Sequence, residues 1–343
     1  MKTIKLALVG FGNVGKAFVQ LLDSKRDCLN RDYGIDFVIV GIATGRHGMA
    51  LNQKGINTGK AIELSLNGKS LDVLSEFPCP SSVLDFIKSC QADVLFENSP
   101  VNHHTGEPAA MYCRSGLQAG MHVVTANKGP VAHAYAELTE LANQYQRRFL
   151  FESAVMDGAP IFSLFRGPLP AVELQGFYGI LNSCTNLLIE LMENGMDFEE
   201  AVDHAQSIGI AETDPSADVD GWDSAIKVSA LCTVLLGIPI KPDQVKRTGI
   251  HGLSKSMILD ALAHGERWKL VCSAHRTPEG MNASVEPCRV PPSNPLYSVN
   301  GTSSFIQFEL DTLPGLGILE SNPGPKTTAY GLLADLINIL RGG

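Results

Sequence analysis

A glycine turn set between an apolar run and a helical one narrows the fold more than any other feature of this chain. Gly10-Phe11-Gly12-Asn13-Val14-Gly15 follows the strand-like residues 4–9, and after it Val14, Ala17, Phe18, Leu21 and Leu22 fall at helical spacing. In such a strand-turn-helix unit Gly10 allows the tight turn, Gly12 lets a pyrophosphate come against the main chain, and Gly15 lets helix and strand pack closely. The helix N-terminus attracts the negative charge. Phe11, Asn13 and Val14 complete the dinucleotide-binding turn. A purely structural glycine turn is the plainer reading, and the strand before it and helix after it weigh against that.

The same rhythm continues to about residue 150, with apolar runs at 37–43, 94–97, 122–125 and 149–152 separated by polar or helical stretches. This pattern predicts an α/β chain with a Rossmann-type, doubly wound parallel sheet. At 343 residues the chain exceeds what one hydrophobic core serves, so a second domain is expected. Beyond residue 152 the texture changes to helices over 184–193, 198–207 and 222–236 with strands near 176–181 and 305–310, an α+β pattern. The end reads as a helix over 328–340 that returns to the first domain. The expected division is a dinucleotide-binding domain at 1–150, rejoined by 324–343, and a second domain at 151–323.

Charge and cysteines restrict partners and compartment. With 27 basic and 36 acidic residues the formal charge is −9, which repels nucleic acid and anionic membranes. No apolar run approaches the roughly 20 residues that cross a bilayer, and the first residues do not read as an export signal. The eight cysteines show no C-x-x-C spacing and read as reduced thiols of a cytoplasmic protein.

Nucleotide choice is written at the end of the second strand, where an acid selects the ribose 2′-hydroxyl of NAD. Here the segment is Thr44-Gly45-Arg46-His47, with Asp36 at the strand's other end. Arg46 can pair with a 2′-phosphate through two charge-assisted bonds, so NADP(H) is preferred and NAD(H) is the second choice. Lys54 and Lys60 read as solvated surface lysines.

Glu97-Asn98-Ser99-Pro100 and Thr125-Ala126-Asn127-Lys128 follow two parallel strands at the carboxyl edge where open α/β sheets bind ligands, so Asn98, Ser99 and Lys128 are expected beside the cofactor. Lys128 could hydrogen-bond an alkoxide or carbonyl oxygen, or be a plain surface lysine. The run from Glu212 to Lys227 concentrates carboxylates at Glu212, Asp214, Asp218, Asp220 and Asp223, a grouping that suits a substrate ammonium. Asp223 and Lys227 stand at i and i+4 on a helix, so each can set the other's charge state, and Lys227 becomes a general acid/base for an alcohol proton. An exposed helix ion pair is the plain alternative.

These residues carry a resemblance. The Gly10–Gly15 turn, Thr-Ala-Asn-Lys at 125–128, Glu152 with Gly158-Ala159-Pro160, Gly179-Ile180-Leu181-Asn182-Ser183-Cys184-Thr185-Asn186 and the 212–227 run resemble, in order, the homoserine dehydrogenase family. The resemblance implies interconversion of L-aspartate 4-semialdehyde and L-homoserine, in threonine, methionine and isoleucine biosynthesis. It implies that Lys227 transfers the proton, Lys128 holds the reacting oxygen, and Glu212, Asp218 and Asp223 bind the amino acid. It also implies a catalytic part at 161–289 and a homodimer interface from 151–160 and 290–323. Glu152, Val155, Asp157 and Ala159 resemble a structural sodium loop, although Val155-Met156-Asp157 interrupts the family's glycine-rich pattern, and Ser183-Cys184 replaces Gly-Thr. The resemblance is to the short form of the family, so no regulatory module is expected after residue 343.

Other readings compete. Cys184 as nucleophile would make an aldehyde dehydrogenase, but no base lies near it in sequence. His103-His104 invites zinc without further ligands at metal spacing; His251 and His275 stand alone. A non-catalytic NADP sensor would not need both lysines and the acidic run, and a dehydrogenase of another amino or hydroxy acid is the runner-up.

Overall fold

A computed structural model describes residues 2–278 and 280–341, which fall into two compact units: the chain through Ile161 together with the segment from Gly324, and Phe162–Pro323. The first unit runs β1 (Lys2–Val9), α1 (Asn13–Tyr33), β2 (Ile35–Ala43), β3 (Met49–Leu51), α2 (Thr58–Leu66), α3 (Val83–Ser89), β4 (Val94–Glu97), α4 (Ala109–Gln118), β5 (His122–Thr125), α5 (Lys128–Gln144) and β6 (Phe149–Leu150). The sheet order is β3-β2-β1-β4-β5-β6, parallel except for β3, which runs antiparallel on the edge. This is the doubly wound sheet expected from sequence, with β3 added.

Central strands need apolar residues on both faces because helices cover both. β1 accordingly buries Ile4, Leu6, Ala7, Leu8 and Val9 without alternation, and all four residues of β4 are buried. Phe18 of α1 packs on Phe96 of β4 with ring centroids 4.4 Å apart. Strand order reverses between β1 and β4, which opens a crevice at their carboxyl ends. Gly10 and Asn98 stand there.

The second unit runs α6 (Phe162–Arg166), β7 (Leu174–Ile180), α7 (Ser183–Glu193), α8 (Phe198–Ser207), α9 (Ser216–Val219), α10 (Trp222–Leu231), β8 (Lys246–Arg247), α11 (Lys255–Ala263), β9 (Arg267–Thr277), β10 (Gly280–Val290), β11 (Ser304–Leu310) and β12 (Leu316–Glu320). Its sheet is ordered β12-β11-β7-β9-β10-β8, antiparallel except for the short β8. The β9–β10 hairpin escapes the sequence reading. The helix expected over 222–236 is α10 followed by a π-helical turn at Cys232–Leu236.

α12 (Pro325–Arg341) adds Ala329, Leu332, Leu333, Leu336 and Ile339 to the core that holds Phe18 and Leu22. Residues 151–161, expected at the start of the second domain, belong instead to the first unit. They form the seam on which α12 docks. The Glu152 N–H donates to Asp335 (2.7 Å), the Ser153 hydroxyl donates to the Thr328 carbonyl (2.7 Å), and Asp157 accepts from the Gly324 N–H (2.7 Å) and the Thr327 and Thr328 hydroxyls (2.8 and 3.0 Å). Asp157 sits at φ +40°, the left-handed turn a glycine would take most cheaply and an aspartate tolerates. Through Gly324, Thr327 and Thr328 the Asp157 carboxylate ties this segment to the start of α12.

Candidate active site

In the first unit the glycine turn has a distinct steric reason at each position. Gly10 lies at φ +92°, and a Cβ there would stand 2.3 Å from the Asn98 carbonyl oxygen. A Cβ on Gly15 would stand 2.7 Å from the Gly10 carbonyl oxygen, so this glycine lets the turn close on itself. A Cβ on Gly12 would meet nothing within 4 Å, which leaves the approach to the main chain open. Gly12 and Asn13 are exposed, Phe11 is buried and Val14 half-buried; α1 starts at Gly12 without a side-chain cap. Its first N–H groups therefore suit an anion.

Beside this turn both polar side-chain atoms of Asn98 are buried without a hydrogen-bonding partner, a costly state that a bound polar group would relieve. The residues present thus fit a dinucleotide. Arg46 is exposed in the β2–β3 hairpin turn, which Thr44 closes by accepting the His47 N–H at 2.7 Å. Asp72, far off in sequence, also reaches this hairpin, where it accepts the Met49 N–H at 2.9 Å. Lys54 and Lys60 pair with the surface carboxylates of Glu76 and Glu63.

Lys128 is the first residue of α5, after Asn127, whose side chain caps the helix by accepting the Gly129 N–H at 2.9 Å. The helix dipole disfavours a cation at that end, so Lys128 carries its charge there against the dipole. It is half-buried.

In the second unit the two motifs singled out from sequence meet. Asn182, at the end of β7, caps α7 by accepting the Thr185 N–H (2.8 Å), and its amide donates to Asp218 (2.6 Å) and Asp223 (2.9 Å). Lys227 donates to the Leu181 carbonyl at 2.6 Å and lies 3.0 Å from Asp223. The pair is far from an exposed helix ion pair, with side chains 15% and 11% accessible. Breaking a pair buried to this extent costs about 3–5 kcal/mol. Glu212 lies on an exposed segment, where its carbonyl accepts the Gln206 amide at 3.0 Å.

Cys184 lies beside the same carboxylates. Burial, and then Asp218 and Asp223, push its thiol well above the ordinary range. A thiol held neutral is a poor nucleophile, which weighs against the thioester reading. Among the described residues no group of three or more His, Cys, Asp or Glu is placed to hold a metal ion, which leaves the zinc reading without support.

Besides Asp335 of α12, two further buried charged groups were missed from sequence. Glu97, the last residue of β4, is fully buried. Lys269 of β9 is also fully buried, donating to Asn186 (3.0 Å) and to the Val299 carbonyl (2.6 Å); burial and then Arg267 push it down to about 8. Asn186 belongs to the Gly-Ile-Leu-Asn…Thr-Asn segment, so that segment supports a buried lysine as well as Lys227. Periodicity cannot show either charge.

Comparison with known proteins accords with this geometry. The family described as "Homoserine dehydrogenase" matches residues 160–337, and "Homoserine dehydrogenase, NAD binding domain" matches residues 10–152. An "NAD(+)-dependent homoserine dehydrogenase" of Pseudomonas canavaninivorans is 36% identical, with 99% of this chain and 97% of the relative covered. The homoserine dehydrogenase of Methanocaldococcus jannaschii is also 36% identical, covering 97% of this chain and 98% of its own. Among solved structures, a homoserine dehydrogenase from Thiobacillus denitrificans superposes with a TM-score of 0.84 at 27% identity, covering 99% of this chain and 74% of that one. The enzyme from Thermoplasma acidophilum gives a TM-score of 0.83 at 25% identity, covering 99% and 100%. A dehydrogenase of another amino or hydroxy acid and a non-catalytic sensor are thereby disfavoured. With both parts matched in order and whole relatives aligned, this chain belongs to the homoserine dehydrogenase family, NAD(P)-dependent oxidoreductases acting on a CH–OH group.

Proposed function

We propose that the chain interconverts L-homoserine and L-aspartate 4-semialdehyde with NADP(H) in preference to NAD(H), and that Lys227 moves the proton at the substrate oxygen. The observation that carries this reading is the placement of the Lys227 ammonium between the Leu181 carbonyl and Asp223. An ammonium fixed in this way can donate to an oxygen that gains negative charge. Asp223 orients it. Asp218 and Asp223, bridged by Asn182, offer carboxylate oxygens to the substrate's own ammonium.

In the first unit, Gly10 to Gly15, Asn98, Ser99 and Lys128 bind the dinucleotide, and Lys128 also holds the reacting oxygen. A nicotinamide held there would supply or accept hydride at the carbon bearing that oxygen. The protein's contribution is position and charge. Sodium at residues 152–159 is assigned no part in the chemistry.

Arg46 supports the nucleotide preference, because residues 44–47 carry no acid and a guanidinium can grip a 2′-phosphate. Steady-state rates with both nucleotides test it. A higher kcat/KM for NADP than for NAD is expected, and Arg46→Ala lowers the NADP value about tenfold, the loss of one charge-assisted contact, while leaving NAD unchanged. A wild-type preference for NAD, as in the Pseudomonas canavaninivorans relative's name, or an equal loss with both nucleotides, contradicts the assignment.

We further assign a cytoplasmic homodimer that serves threonine, methionine and isoleucine synthesis. Tyr178, Val271, Tyr297 and Phe305 are half-buried around a small core of Ile180, Val290, Leu296 and Val299, a face suited to a second copy. All eight cysteines are free thiols, as a reducing compartment keeps them.

A further inference from the structure

Glu97 is an unusual residue to find where it is. It ends the strand Val94–Glu97, in which the other three residues are apolar and all four are buried. An apolar residue of similar size would cost nothing to bury there, whereas a carboxylate must be compensated. Burial pushes the Glu97 carboxyl up to about 7 against the pull of its hydrogen-bond donors, which shows how unfavourable the position is for a charge.

The compensation is a closed ring of hydrogen bonds at the carboxyl ends of β4 and β5. One Glu97 oxygen accepts the Ser99 N–H at 2.7 Å and also the Ser99 hydroxyl. The other accepts the Thr125 hydroxyl at 2.9 Å. The Thr125 oxygen accepts the Asn127 N–H at 2.9 Å, and the Asn127 amide returns to the Ser99 carbonyl at 3.1 Å. Asn98 lies between two members of the ring, and both polar atoms of its side-chain amide are buried without a partner. Lys128 lies between Asn127, a third member, and Gly129, whose N–H Asn127 caps.

From this geometry we infer that Glu97 is a positioning residue, whose hydrogen-bonded ring sets the Asn98–Ser99 backbone and the start of α5 in the register the nicotinamide dinucleotide requires. The inference rests on the reading of Asn98, Ser99 and Lys128 as cofactor contacts. It goes beyond that reading because Glu97 is fully buried, with no surface open to a ligand, and acts through its neighbours. A residue kept only for stability would be replaced with profit by leucine; a residue kept for register would not.

The test compares wild type, Glu97→Leu and Glu97→Gln by melting temperature, by NADPH dissociation constant from its fluorescence, and by kcat with L-homoserine. Glu97→Leu is expected to melt within a few degrees of wild type or above it, yet to bind NADPH about tenfold more weakly, the scale of one or two lost charge-assisted bonds. Glu97→Gln keeps an acceptor for Ser99 and a polar group for Thr125, so its NADPH affinity stays within about threefold of wild type. If leucine does not fold at position 97, Thr125→Val cuts the same ring on its far side and is expected to weaken NADPH binding severalfold. Wild-type NADPH binding in Glu97→Leu, or in Thr125→Val where leucine does not fold, overturns the inference. So does a loss in the glutamine variant that tracks its melting temperature. A wild type that binds neither NADPH nor NADH sinks the cofactor reading itself and takes the inference with it, and the unsubstituted protein alone reveals that outcome.

Discussion

Lys227→Ala is expected to lower kcat for homoserine oxidation by on the order of a hundred- to ten-thousand-fold, the range that a positioned general acid or base contributes. NADP binding should be untouched. The argument runs from the fixed position of the ammonium, 2.6 Å from the Leu181 carbonyl and 3.0 Å from Asp223, to its use at the substrate oxygen. Alanine also strips a buried carboxylate of its partner, so part of any loss could come through stability. Lys227→Arg separates the two effects. Arginine restores the positive charge beside Asp223 but cannot release a proton near neutrality. Turnover should stay low in Lys227→Arg although its melting temperature recovers. Recovery of turnover with arginine would make Lys227 an electrostatic holder and not the proton-transfer group.

The second large effect is a contrast between two glycines two positions apart. Gly10→Ala sets a methyl 2.3 Å from the Asn98 carbonyl oxygen and 2.8 Å from the Ser99 nitrogen, at a φ of +92°. Backbone cannot yield as a flexible side chain does, and the conformation alone costs about 1–3 kcal/mol. The first unit should lose stability and NADP binding together. Gly12→Ala meets nothing within 4 Å and sits at φ −79°, which alanine adopts freely. Its melting temperature should match wild type while its NADP affinity falls, because the added methyl occupies the approach to the main chain. Thermal unfolding followed beside nucleotide titration checks both. Equal stability in the two variants would contradict the steric account of Gly10, and undiminished NADP binding in Gly12→Ala would remove the pyrophosphate from this turn.

The first unit was legible in sequence because its strands are covered on both faces. Runs such as residues 4–9 and 94–97 are continuous and apolar, and the glycine turn fixes where the first helix begins. The C-terminal helix announced itself through Leu332, Leu333, Leu336 and Ile337, four of its apolar residues at helical spacing. β3 was too short to show, with only Met49–Leu51.

The β9–β10 hairpin was hidden for a different reason. β9 buries Lys269 together with Leu270, Cys272 and Ala274, and β10 carries Pro287 and few large apolar residues, so neither displays the alternation that marks a half-buried strand. In the site, Asp223 and Lys227 were legible from their i, i+4 spacing and Asp218 from the family resemblance, whereas Asn182 showed only as one residue of the Gly-Ile-Leu-Asn segment. Glu97 was not distinguishable from a residue that merely ends a strand, because its role depends on Thr125 and Asn127 in the next strand and loop. The 151–161 segment was assigned to the wrong unit because its partners, Thr328 and Asp335, lie more than 170 positions away.

The central claim is that an acidic cluster recognises an amino-acid ammonium beside a proton-transferring lysine. The most direct test is oxidation of L-homoserine against 4-hydroxybutyrate, the same alcohol without the amino group, at saturating NADP and followed by nicotinamide absorbance. The account predicts turnover of L-homoserine and a kcat/KM at least about a hundredfold lower for the analogue, the scale of a charged pair left unmade in a buried site. Equal turnover of the two alcohols, or none with homoserine, would contradict it.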